Sequence, residues 1–164
     1  MTWHAMFRPG MRAYLIPLGC GIALTVSAFL PWVHVGDVSL QGASEMAALW
    51  VLGLGALAAV LAALSLITRR NSRHPLLVVG LAALGIMFLS WRIMPRVAVS
   101  RALTISQAVA IVEDAPMNNT PEARVGGGIY LGLAASIVLV GFGMTIVIKR
   151  ASQPYVAAEP DDDV

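Results

Sequence analysis

Three histidines, one cysteine and a scatter of serines are the side chains here that could carry chemistry. Two histidines hold a haem only when both imidazoles reach one depth on facing elements. His34 closes the first long apolar stretch and His74 opens the third. If each stretch crosses a bilayer, roughly 30 Å of hydrocarbon separates the two. His4 lies in the N-terminal flank, on the side of His74. No histidine has a cysteine or carboxylate at ligand spacing, so neither a metal nor any other cofactor is expected. Ser27, Ser65, Ser90 and Ser136 sit in apolar runs without a histidine or acid at their depth, which leaves them without a base for nucleophilic catalysis. Such serines ordinarily bond to their own helix backbone. The expectation is a protein that is not an enzyme.

Cys20 follows Pro17-Leu18-Gly19, a pattern similar to a lipoprotein processing site, but the apolar run continues well past it. It reads as a small packing residue, and a single cysteine excludes an internal disulfide. Ion-coupled carriers place charges inside their spanning helices; no Asp, Glu, Lys, Arg or His lies deep in any apolar stretch. A net charge of +2, with no basic tract interleaved with aromatics, argues against nucleic-acid binding.

The elements that would position these residues are plain in the hydropathy. Hydrophobic residues make up 58% of the 164 and charged ones only 12%, about half the charge of an ordinary soluble domain. Four uncharged stretches, 13–36, 46–68, 75–91 and 125–148, are separated by short charged zones. About 20 apolar residues cross a bilayer as a helix. The runs are too uniformly apolar to alternate as barrel strands. The first is longer than a cleaved signal's apolar core, and Pro31-Trp32 closes it as an interface anchor would.

The predicted fold is all-α: a four-helix transmembrane bundle, up-down-up-down, with helices over about 13–34, 46–68, 75–94 and 126–148. Residues 1–150 form this domain, with an extracytoplasmic segment at 95–124. Residues 151–164, ending Asp161-Asp162-Asp163-Val164, form a disordered acidic cytoplasmic tail. Orientation follows the basic residues. With both termini inside, Arg8, Arg12, Arg69, Arg70, Arg73, Lys149 and Arg150 are cytoplasmic, against Arg92, Arg96, Arg101 and Arg124 outside. Trp32, Trp50, Trp91 and Tyr130 then fall near the outer interface, the depth such rings prefer. Asn118-Asn119-Thr120 is a glycosylation sequon on that side.

Two sets of residues stand out as contact surfaces. Gly55, Ala59 and Ala63, and Gly128, Gly132 and Ser136, repeat every four residues, the spacing that lets helix backbones approach in lipid. They read as contacts within one bundle, with homo-oligomerisation as the other use. Enlarging Gly132 should hurt, and enlarging Ala58, off the stripe, should be milder. In the outer segment Ala98, Ala102, Ile105, Val109 and Val112 recur at spacings of four and three, an amphipathic seam. A helix over 97–113, with Pro95 suited to its first turn, is expected to lie along the membrane surface. Arg92, Arg96 and Arg101 would meet lipid phosphates there, while Ile105, Val109 and Val112 contact lipid or a partner. The arginines at that helix's start oppose its macrodipole.

Phe29-Leu30-Pro31-Trp32 and Gly126-Gly127-Gly128-Ile129-Tyr130-Leu131 complete the pattern. Over about residues 13–150 the chain resembles a loose class of small bacterial four-helix membrane proteins. These share a Pro-Trp at the end of helix one and a glycine-rich, aromatic start to helix four. The resemblance implies a fold and a bacterial cytoplasmic membrane, but no activity and no site residues. The functional expectation is a non-enzymatic accessory or scaffold subunit. Its partners would be the lipid bilayer and another membrane protein or a second copy, with no nucleic acid. A passive transporter or channel for a small molecule is the rival reading, which a polar-lined cavity through the bundle would favour.

Overall fold

The computed structural model describes residues 12–36, 38–42, 45–68, 73–113 and 122–151, with the backbone alone at 12, 113 and 146–151. The basic loop at 69–72, the sequon at Asn118 and the acidic tail fall outside this set. A 3-10 turn at Arg12–Tyr14 leads into α1, Leu15–Ser27. Two strands follow, β1 at Pro31–Val35 and β2 at Val38–Gln41. Then come α2, Met46–Thr68, and α3, Arg73–Glu113. A third strand, β3 at Ala123–Val125, precedes α4, Gly127–Ala151. Helices α1 and α3 each pack against both α2 and α4, so the four close into a bundle.

Three helices, α2, α3 and α4, are long and apolar enough to cross a membrane. Helix α1 has 13 residues, about 20 Å of rise, so the expected helix over 13–34 is corrected to a shorter one. The reason is local. In a continuing helix the Ser27 carbonyl would accept from the N–H of residue 31, which is proline and has none. The chain instead tightens, with Leu30 N–H donating to Ser27 O at 3.3 Å, and the backbone before Pro31 turns extended.

From there the all-α expectation fails in a second respect. Val33-His34-Val35 and Val38-Ser39-Leu40 flank Gly36-Asp37, and β-branched residues around a Gly-Asp pair make a hairpin. Gly36 takes φ +56°, a left-handed value that glycine adopts without strain. The register pairs Val35 with Val38, His34 with Ser39 and Val33 with Leu40, and slips between Val33 and Pro31. Strand β3 pairs antiparallel with the other edge of β1, Val33 opposite Val125 and Val35 opposite Ala123, giving the order β2-β1-β3.

Helix α3 differs from expectation most. It runs unbroken through Pro95 for 41 residues, about 60 Å, so no separate surface helix begins there. Pro95 removes one backbone bond, to the Trp91 carbonyl, without ending the helix. The dipole conflict expected of Arg96 and Arg101 disappears as well, because both lie mid-helix and the dipole acts only within terminal turns.

The core is apolar and tightly approached. A Cβ on Gly21 would stand 2.6 Å from the Ala59 backbone nitrogen, and one on Gly55 would stand 2.7 Å from the Thr25 nitrogen. Helices α1 and α2 therefore touch backbone to backbone around Gly21, Gly55 and Ala59. On α4, Gly128 lies against Trp32 and the Ser27 carbonyl, and Gly132 against Met87 and Ser27. Ser136 is fully buried, and Ala63 is half-buried. Ala58, off the stripe, is fully buried too. Three of the buried serines bond to their own helices: Ser27 to Leu24 O, Ser65 to Leu61 O and Ser136 to Leu133 O, at 2.7–2.9 Å. At the end of the bundle away from the sheet, Arg73 sits over the Phe142 ring and donates to Thr145 Oγ1 at 3.3 Å. Tyr14 meets the same ring edge-on.

Candidate functional site: an apolar groove between α3 and the hairpin

The sheet end of the bundle is organised around Trp32. Its side chain is fully buried. Its indole Nε1–H donates to Ser27 O at 2.8 Å, the carbonyl that Pro31 leaves short of a partner. The ring packs on Gly42 and Gly128, where any side chain would collide with it. Gly126 N–H donates to Trp32 O at 2.7 Å. Trp32 thus pins β1 to the ends of α1 and α4, and this pinning presents the rest of the hairpin to one side.

Between that hairpin and α3 lies a groove of about 880 Å³, in the upper part of the roughly 300–1,000 Å³ range of ligand pockets. Val33, Val35, Val38 and Leu40 form one wall. The other is a stripe of α3 running from Ile86 and Leu89 through Ile93, Val97 and Ala98 to Ile105, Val109 and Ala110. Most of the lining is apolar. Ser90, Gln41 and Ser106 add polar atoms, and Ser106 Oγ is bound to Leu103 O. At the rim Arg101 Nη1 donates to Glu45 Oε1 at 3.1 Å, with both side chains partly in solvent. Glu45 directly precedes α2, so α3 passes the start of α2 at Arg101. Twelve further helical residues follow, about 18 Å.

Of the contact residues expected in this region, Arg101, Ile105 and Val109 line the groove together with Ala98 and Ala102. Arg92, Arg96 and Val112 do not. Arg92 and Arg96 are exposed, and Val112 is 84% exposed at the far end of α3. Ala98 is buried, whereas Ile105 and Val109 are open, so the seam is covered only at its beginning. Sequence reasoning missed the opposite wall. The signal was present in the alternation Val33, Val35, Val38, Leu40 around Gly36-Asp37, masked by the uncharged run that leads into it.

The arrangement offers little to covalent chemistry. His34 is exposed on β1 and His74 on the first turn of α3. Among the described residues no three of His, Cys, Asp and Glu come together as a metal site. What the groove can do is cover an apolar surface of matching shape, with one ion pair at its edge. Comparison with known protein families, with curated proteins and with solved structures finds no match to this chain.

Proposed function

We propose that this is a four-pass protein of the bacterial cytoplasmic membrane, with both termini inside. In this reading it acts as an accessory or scaffold subunit and not as an enzyme. Its working part is the extracytoplasmic end, where α3 and the hairpin contact lipid or a partner membrane protein. Membrane placement is supported by an exterior that is apolar on every helix. Ile16, Ile22, Val60, Leu64, Val78, Leu81, Ile137 and Val138 are all well exposed, far beyond the patches a soluble monomer shows. Helix α1 completes the fourth pass with the 3-10 turn before it and the turn at Phe29-Leu30 after it. A short span is accommodated by local bilayer thinning at modest cost.

The observation that carries the functional reading is the end of α3. Ile105, Val109, Ile111 and Val112 are 65%, 46%, 82% and 84% exposed on a helix that has already passed the start of α2. Apolar residues exposed on a helix beyond its bundle are a contact surface. Among the described residues the buried polar side chains of the bundle are four serines, three of them bonded to their own helices, which is poor lining for a permeation path.

A photo-crosslinking residue at Ile111 tests this in intact cells. A discrete lipid or protein adduct is expected there, and none from the same probe at His74, on the opposite end of α3. Equal labelling from both positions, or none from Ile111, would refute a contact role for this end.

A further inference from the structure

The groove's two ends differ, and the difference points to an occupant. At one end Leu89 belongs both to the groove and to the exposed apolar exterior, 59% open. The groove is therefore continuous with the surface that meets the hydrocarbon of the membrane. At the other end Ile105 and Val109 carry the apolar lining past Arg101, where the start of α2 marks the end of the spanning bundle. From Ile86 to Ala110 the α3 wall extends about 36 Å, long and narrow where a compact ligand needs a closed cavity. Arg101 stands at the edge with one guanidinium nitrogen on Glu45. A guanidinium has five N–H donors, and its planar fork suits phosphate oxygens.

Resting on the membrane placement above, we propose that the groove takes one acyl chain of a phospholipid from the adjoining leaflet, with the lipid phosphate at Arg101. A hydrocarbon chain can slide from the bilayer into the groove without crossing water. Its phosphate then meets an arginine at the level where the headgroups lie. The hairpin serves as the outer wall that shields the chain from solvent. This explains why Val35, Val38 and Leu40 present an apolar surface on a hairpin whose second strand is exposed at every residue.

The test uses the full chain reconstituted in vesicles of phosphatidylglycerol and phosphatidylcholine. A trace of phospholipid with a diazirine at one chain end is added, and adducts are mapped by peptide mass spectrometry after irradiation. Adducts are expected within residues 33–40 and 97–110, as well as at the lipid-facing Val60 and Leu64 of α2. Ala102→Trp, which fills the groove, should lower the first set several-fold and leave the second unchanged. Ile105→Glu at an open position should do the same if the tryptophan variant fails to fold. Arg101→Gln should lower groove labelling, whereas Glu45→Gln, which breaks the same ion pair but keeps the arginine, should not.

Labelling at Val60 and Leu64 with none in the groove overturns the acyl-chain proposal and leaves the membrane reading standing. No labelling at either site overturns both. Disulfide-linked dimers from Ile105→Cys in a Cys20→Ala background, without groove adducts, would assign the groove to a second copy and overturn the proposal. Equal losses from Arg101→Gln and Glu45→Gln would remove the phosphate contact.

Discussion

Trp32 shows how one residue can be picked out from sequence while its partner stays hidden. An aromatic after proline at the end of an apolar run fits the interface rule. Yet the deciding fact is the carbonyl four residues before the proline. Ser27 O lacks its ordinary helical donor, and the indole N–H is within reach because the chain turns at Pro31. Trp32→Phe keeps most of the ring and removes the donor. Unfolding in detergent should then show a loss of about 1–3 kcal/mol, the usual cost of leaving a buried acceptor short. Unchanged stability would mean that the Leu30 N–H alone satisfies Ser27 O. Ser27, Ser65 and Ser136 were easier to read: their bonds to their own helices follow from local geometry and need no knowledge of the fold.

Among the elements, α2 was fully legible, Met46–Thr68 matching the uncharged run at both ends, and α4 nearly so. Each is bounded by charge and filled with residues that have no other apolar conformation to prefer. The other two were misjudged at prolines, in opposite directions. Pro31 stops a helix because extended, β-branched residues follow and find a partner strand. Pro95 does not, because helix-forming Ala98, Ala102 and Leu103 follow and Ala98 is buried on the bundle. Neither outcome can be read from the proline itself. An interior proline costs a helix roughly 3 kcal/mol against alanine. Pro95→Ala should therefore raise the melting temperature and slow amide exchange at residues 95–99, where the backbone bond to Trp91 is restored. A lower melting temperature with faster exchange would mean that the proline is needed to seat α3 against the sheet. The groove was illegible for a different reason: its walls are about sixty residues apart in the chain, and only the fold brings them together.

For the whole molecule, the proposed orientation rests on the imbalance of basic residues across the bundle, and the sheet supplies a marker for the side proposed to be outer. In a Cys20→Ala background, Ser39→Cys on the exposed strand β2 should react with a membrane-impermeant thiol reagent in intact cells. Ser72→Cys should react only after the membrane is opened. The reverse pattern would invert the topology and move the groove to the cytoplasmic face.

The strand order has a consequence for how the protein is made. Strand β1 is complete early, but one of its two edges waits for β3, about ninety residues later. At roughly 5–20 residues per second of synthesis, that edge stays unpaired for several seconds or longer while α2 and α3 are made. Gly126 and Gly128, which close over Trp32, arrive with the same late segment. The sheet is then a clasp fastened last. It joins the end of the first helix to the beginning of the fourth, so a chain stopped before residue 122 has its bundle open at the seam and Trp32 uncovered on that side.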